Sequence, residues 1–399
     1  MSLRKRRGEA ADNFSQTEDC SDDTEILAPM EPVREEQQAT GSFNQRTKLR
    51  TRSLWTLILL SSFLSIISAG HFYCSVLVVC LIGAIFYEIT KLKRNREKEH
   101  KLPFFYALRW FWFFITNFYF LKIFLAPQLD RMSQKYASVE FLLKYHQIIS
   151  YSLVLVGIVM FVLSLRRFSL RYQFQQLSWA LVTNLVCVIQ GAAHIANIYS
   201  GLVWFLLPTL LVIANDIFAY LFGITLGRTP LIKLSPKKTL EGFIGGSIAT
   251  VVCAVLLCDF LLRYPYFMCP MEEITLLPFQ SLECKQTQGL AASGLKIHGL
   301  ILACFASLVA PFGGFFASGF KRAFKIKDFS NVFESHGGFT DRFDCQIVMG
   351  MFTYIYYNTF VVGTPHSPPL TLHAVVSFVE TLGESDRSFL LEILKGNQI

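Results

Sequence analysis

Two segments of the chain gather residue types that handle phosphate and metal. The denser one, 318–344, sets Lys321-Arg322, Lys325, Lys327 and Arg342 beside the carboxylates Asp328, Asp341 and Asp344, with His336-Gly337-Gly338 between them. Such cations suit a polyphosphate. The carboxylates suit Mg²⁺, which binds through one or two carboxylates together with substrate phosphate oxygens. Asp341 and Asp344 are three apart, so on a helix they share a face and a metal can bridge them. Gly337-Gly338 allows close backbone approach. His336 reads either as a base or phosphate donor or as a hydrogen-bonded structural histidine. The bland alternative for the segment is a charged loop beside the membrane with compensating ion pairs. The mixture of both signs directly against two apolar runs favours a site.

The second segment begins at Asn215-Asp216, inside an otherwise apolar run. An ionised Asp within a span is costly unless paired, hydrated or metal-bound. It marks an active-site or pathway residue, against the alternative of a helix-packing hydrogen bond made with Asn215; a neutral Asn alone would serve packing, which favours function. Next come Gly227-Arg228-Thr229-Pro230 and the stretch 234–242, LSPKKTLEG, a short loop leading into a helix that contains Gly245-Gly246. Ser235, Lys237, Lys238 and Thr239 bring hydroxyls, ammonium groups and backbone N–H donors together ahead of a helix N-terminus, an arrangement suited to phosphate. The glycine spacing of a Walker A loop is absent. Taken alone, this segment is equally well an ordinary basic loop.

The elements that must position these residues are helices in lipid. Of 399 residues, 52% are hydrophobic, 17% are charged and 38 are Phe. Soluble domains carry about 25% charged residues. With a mean hydropathy of +0.41, this composition excludes a soluble globular enzyme, a coiled coil and a mainly disordered protein. A span needs roughly 20 apolar residues. Apolar runs lie at 54–69, 72–89, 104–126, 147–165, 177–199, 201–226, 243–262, 299–318 and 346–363. Backbone in lipid must satisfy its own hydrogen bonds, so the fold class is all-α, a polytopic membrane helix bundle of eight or nine spans. The first two runs, joined by Gly70-His71, predict a tight helical hairpin. Arg109 and Lys122 lie near the ends of the third run, where long side chains snorkel.

Basic residues cluster in five segments, 46–52, 91–101, 166–171, 228–238 and 321–327. With the N-terminus inside and strict alternation, all five face the cytosol, as the positive-inside rule requires. The opposite loop 263–298 holds Cys269 and Cys284, which are positioned for a disulfide if that loop is lumenal, or remain free thiols. The N-x-S/T sequon at Asn13 falls in the cytosolic tail and is read as unused. Three regions result: a disordered cytosolic tail, 1–50; a transmembrane catalytic domain, 51–365; and C-terminal short helices, 366–399, on a side the sequence does not decide. The net charge of +8 then reflects basic cytosolic loops and anionic substrates, and nucleic acid is not a partner.

The pattern S-x-apolar-K-R, K-D, H-G-G-apolar-x-D-R-apolar-D resembles the signature of the phosphatidate cytidylyltransferases, or CDP-diacylglycerol synthases. Here it reads Ser318, Lys321-Arg322, Lys327-Asp328, His336-Gly337-Gly338 and Asp341-Arg342-Phe343-Asp344. Asn215-Asp216, Gly227-Arg228-Thr229-Pro230 and 234–246 also resemble the eukaryotic endoplasmic-reticulum members, as does 311–328, and the likeness covers about 50–365. Two departures stand out. Glu334-Ser335 replaces the Pro or Gly, usually followed by Gly, that the family places before the His, and the lumenal loop is short.

The resemblance implies that CTP and phosphatidic acid give CDP-diacylglycerol and pyrophosphate, feeding phosphatidylinositol, phosphatidylglycerol and cardiolipin synthesis. It implies Mg²⁺ on Asp341 and Asp344, with Asp216 and Asp328 as second candidates. Lys321, Arg322, Lys327 and Arg342 would neutralise phosphates. Ser235, Lys237, Lys238, Thr239 and Asn215 would hold nucleotide or lipid phosphate, and His336 would orient a phosphate or a ligand carboxylate. It implies an enzyme in the endoplasmic-reticulum bilayer with its site facing the cytosol, and it is compatible with a homodimer. The competing readings are a CTP-using polyprenol kinase, a transporter with Asp216 and Arg109 lining a pathway, and a lapsed member of the family.

Overall fold

The computed structural model describes residues 57–58, 60–93, 102, 104–232, 235–271, 274–275, 277–279, 292–330, 337–362 and 383. The expected N-terminal tail and nearly all of the expected C-terminal helices lie outside the described residues.

Helix α1, Leu60–Ala69, is followed by α2, His71–Leu92. The single residue between them, Gly70, has φ 123°, open to glycine alone. Next come α3, Phe105–Phe124, α4, Ala126–Lys135, α5, Ala137–Lys144, and α6, His146–Ser164. The chain continues through α7, Leu170–Tyr199, and α8, Val203–Leu226, into a hairpin of β1, Pro230–Ile232, and β2, Ser235–Thr239. The remaining helices are α9, Leu240–Leu262, α10, Pro265–Met268, α11, Ala292–Leu308, α12, Pro311–Ala323, and α13, Thr340–Tyr356.

Among the described residues, six helices are long and apolar enough to cross a membrane, or seven if α3 and α4, bent by 89°, form one span. The expected eight or nine included the runs 54–69 and 346–363, which extend outside the described residues. Within the run 54–69, α1 contributes ten described helical residues, and Leu57 and Ile58 are helical as well. Helices α11 and α12 fall within one 30-residue stretch, Gly294–Ala323. The 17 residues of α13 pass directly into a π-helical turn, Tyr357–Val362, so helical backbone covers 346–362 of the expected last run.

Helix α7 forms the spine. It buries Ala180, Cys187, Ala192, Ala193 and Ala196, small side chains that admit neighbouring helices closely. At one end Gln176 and Trp179 donate side-chain hydrogen bonds to the backbone carbonyls of Lys93 and Ile89, fastening the end of α2. Further along, Asn197 donates to the Gly350 carbonyl at 2.9 Å, and Gln346 of α13 donates to the Thr209 carbonyl of α8 at 3.1 Å. Helix α13 is thus bonded to both α7 and α8. Outward faces carry exposed Ile148, Val159, Leu163, Ile248 and Leu256, the lipid-facing surface of a membrane protein.

The α8–α9 crossing is backbone on backbone. A Cβ at Gly242 would lie 2.6 Å from the Ala219 carbonyl oxygen, and one at Gly246 would lie 2.9 Å from the Ala219 nitrogen. Glycine is required at these positions of closest approach. The crossing fixes the direction of α8 just beyond Asp216.

Candidate active site

The hairpin that joins α8 to α9 stands where the sequence reading placed a plain loop. Pro230 pairs with Thr239 and Ile232 with Ser235. Glu241, in the first turn of α9, holds its base. The Glu241 carboxylate accepts from the Arg228 N–H at 3.0 Å, the Thr229 N–H at 3.2 Å and the Thr229 hydroxyl at 2.8 Å. Thr239 is the N-cap of α9, its Oγ1 accepting from the Gly242 N–H at 3.2 Å, as N-cap threonines do. The Leu240 N–H donates to the Thr229 carbonyl. The amides of Leu240 and Gly242 are therefore used within the protein rather than offered to a phosphate, and among the described side chains of the strands the cation is Lys238. The side chain of Lys237 lies outside the described residues; Ser235 is half-buried.

Lys238 reaches over a cavity of about 200 Å³ lined by Asn215, Asp216, Thr239, Pro311 and Phe315, with apolar residues of α8 and α9. Its ammonium lies 4.7 Å from the centre of the Phe315 ring, a cation–π distance. Asp216 is exposed to this cavity. Asn215 is buried and its Oδ1 accepts from the Thr250 hydroxyl at 3.3 Å. The neighbours of the Asn-Asp pair thus differ: Asn215 ties α8 to α9, and Asp216 faces the open space.

Asp344 completes this part of the site. Helix α12 meets α13 at Gly313 and Gly314. A Cβ on Gly314 would sit 3.4 Å from Asp344 Oδ2 and 3.5 Å from Lys238 Nζ. Asp344 Oδ1 accepts from the Cys345 N–H at 2.8 Å. The charges acting on Asp216 are those of Lys238, Asp344 and Arg342, and those acting on Asp344 include Lys238 and Lys321. Two carboxylates from different helices therefore share one electrostatic neighbourhood with lysines at its edge.

Asp341 has other partners. Its Oδ1 accepts from Lys321 at 2.7 Å, and its Oδ2 accepts from the N–H groups of Phe329 and Gly338, each at 3.0 Å. Gly337 supports this turn with φ 76°, and a Cβ there would stand 3.1 Å from Asp341 Oδ2 and 3.6 Å from Asp328 Oδ1. Asp328 is thus adjacent to Asp341, while Lys327, Arg322 and Arg342 are exposed around it. His336 and the Glu334-Ser335 departure lie outside the described residues.

One residue of this region had no sequence signal beyond being a lone carboxylate near the end of an apolar run. Glu88 of α2 is 3% exposed. It accepts from the Phe339 N–H at 2.9 Å and from the Thr340 N–H and hydroxyl, both at 2.8 Å, and also from the Ser330 hydroxyl.

The donor set bears on the metal. Among the described residues no group of three or more His, Cys, Asp or Glu is gathered to hold an ion. Mg²⁺ is ordinarily held by one or two carboxylates with substrate phosphates and water completing its shell. Asp216, which lines the cavity, and Asp344, which shares its electrostatic neighbourhood, fit that pattern.

Bundle and site define a polytopic membrane protein with a cavity between α8, the hairpin, α9 and α12 that carries Asp216 and Lys238 in an otherwise mostly apolar lining. The profile of the cytidylyltransferase family matches residues 50–360, and the chain belongs to that family. It is 41% identical over 333 residues to phosphatidate cytidylyltransferase 1 of Homo sapiens, covering 78% of this chain and 72% of the relative. It is 39% identical over 343 residues to phosphatidate cytidylyltransferase 1 of Arabidopsis thaliana, covering 80% and 82%. It is 39% identical over 350 residues to phosphatidate cytidylyltransferase of Saccharomyces cerevisiae, covering 83% and 77%.

Proposed function

We propose that this chain joins CTP to phosphatidic acid, releasing pyrophosphate and giving CDP-diacylglycerol for phosphatidylinositol, phosphatidylglycerol and cardiolipin synthesis. The observation that carries the reading is the cavity lined by Asp216 and Lys238, with Asp344 in the same electrostatic neighbourhood, set among lipid-facing helices of a chain about 40% identical to phosphatidate cytidylyltransferases. A phosphate oxygen of phosphatidic acid forms the new bond to the α-phosphorus of CTP. The bond from that phosphorus to the β-bridging oxygen breaks, and pyrophosphate leaves with the electron pair. Phosphatidic acid supplies the nucleophile, so the protein's task is positioning and charge neutralisation. Lys238 approaches from the hairpin and Lys321 from α12, the latter oriented by Asp341. Lys327, Arg322 and Arg342 form the exposed cationic rim through which a polyanion enters.

Asp216 and Asp344 would hold Mg²⁺ together with substrate phosphate oxygens; when bound, the ion offsets charge that develops on the phosphates. Asp341 orders the lysine and the turn beside them.

The site lies on the cytosolic face of the endoplasmic-reticulum membrane in this reading. Support comes from the five basic segments and from Cys269. Cys269 follows α9 at the end remote from Lys238 and is disulfide-bonded, as suits an oxidising lumen. Cys284, its expected partner, lies outside the described residues.

The test uses the full chain in detergent with phosphatidic acid, Mg²⁺ and CTP labelled at either the α- or the γ-phosphate. Label entering lipid from the α-position supports the reading. Label entering only from the γ-position marks a kinase and overturns it, as does flux in liposomes without nucleotide turnover.

A further inference from the structure

We infer that Glu88 is a positioning residue for the transfer, holding the signature turn from a helix at the opposite end of the sequence. The inference rests on the proposed cytidylyl transfer for its kinetic consequence. Its structural basis is independent of that reading.

Three observations carry it. First, the post is fixed. The end of α2 is held on α7 by Gln176 and Trp179, whose side chains bond to the backbone carbonyls of Lys93 and Ile89. Second, the grip is specific. One Glu88 oxygen accepts from the Ser330 hydroxyl and the Phe339 N–H, and the other accepts from the Thr340 N–H and hydroxyl. Phe339 and Thr340 open α13, where backbone N–H groups have no partner within the helix and a negative charge is stabilising. Third, the backbone is shaped for it. A Cβ on Gly338 would lie 2.8 Å from one Glu88 oxygen and 2.9 Å from the other. The second glycine of His336-Gly337-Gly338 thus makes room for this carboxylate.

Asp341 grips the same turn, through the Gly338 and Phe329 N–H groups. The two carboxylates hold 329–330 and 338–340 between them, and Asp341 then presents Lys321 toward Asp344. Glu88 acts on the reaction only through these groups.

Glu88→Gln separates positioning from folding. The amide keeps the size of the side chain but turns one acceptor into a donor. The Ser330 and Thr340 hydroxyls can rotate to accept from it, whereas the N–H of Phe339 or Thr340 loses its acceptor. Displacement of reacting groups by about 1 Å costs on the order of 10²-fold in rate. The expected result is kcat lower by about tenfold to a hundredfold, with KM for CTP within about twofold and little change in thermal midpoint. Hydrogen exchange should quicken at 338–340 and stay unchanged in the middle of α7. Glu88→Asp, which keeps the charge but shortens the reach, should give the same pattern, and it serves if Glu88→Gln does not fold. Unchanged kcat, or a loss of activity that follows the folded fraction while each folded molecule turns over normally, overturns the inference. If wild type makes no CDP-diacylglycerol, the proposed function falls, and the exchange measurement still decides whether Glu88 holds the turn.

Discussion

Lys321 Nζ lies 2.7 Å from Asp341 Oδ1, with the two side chains only 18% and 8% exposed. Removing one partner of a shielded pair leaves the other charge uncompensated, at a cost of about 3–5 kcal/mol when burial is complete. Lys321→Met and Asp341→Asn should each lower the thermal midpoint and abolish most activity. The double variant should be no worse than the poorer single one, since the two act as a unit. Additive losses in the double-mutant cycle would show that the pair is not coupled.

Asp216→Asn and Asp344→Asn should behave differently. Two carboxylates in one electrostatic neighbourhood repel, so neutralising either should leave the thermal midpoint unchanged or raise it. Turnover should fall by about 10²-fold or more, the scale of one lost charge-stabilising group at a reacting centre. The Mg²⁺ concentration giving half-maximal rate should rise. An Asp344→Asn protein with wild-type turnover and wild-type Mg²⁺ response would remove Asp344 from the metal role.

The α8–α9 crossing predicts a stability defect with a functional echo. Gly246→Val inserts a side chain where even a Cβ meets backbone at 2.9 Å. Overpacking of this kind costs about 1–3 kcal/mol. Because the crossing also sets the wall of the cavity, KM for CTP should rise in the folded fraction. Gly294→Val, at a glycine with no neighbour within 4 Å of an added Cβ, is the control and should change neither quantity.

Gly337 offers a backbone test. Its φ of 76° suits Gly and is tolerated by Asn, while other side chains cost roughly 1–2 kcal/mol there. Activity should fall in the order wild type, Gly337→Asn, Gly337→Val. Equal activity of the two variants would mean that crowding against Asp341 matters more than the dihedral.

Much of the site is legible in the sequence because it is written in side-chain types. Asp216 stands out as a charge in an apolar run, and Asp344, Lys238 and Lys321 stand out within charged segments. The structure brings these four into one electrostatic neighbourhood. What the spacing conceals is who bonds to whom. Asp341 and Asp344 share a face at i, i+3, yet Asp341 is occupied by Lys321 and two amides while Asp344 faces Gly314 and the lysine of the hairpin. Glu88 and Glu241 were not singled out because two of the donors that each accepts from are backbone N–H groups, which every residue but proline carries.

The hydrogen bond from Thr340 to Glu88 joins residues 252 positions apart. At synthesis rates of about 5–20 residues per second, the start of α13 follows α2 from the ribosome by roughly 10–50 s. Through that interval Glu88 is a carboxylate at the end of a membrane helix with none of its four donors yet made. A chain that stops short of α13 therefore leaves an unmatched charge beside the bilayer. Completion of translation and the hydrogen bonding of Glu88 become one event, which distinguishes a finished molecule from an unfinished one.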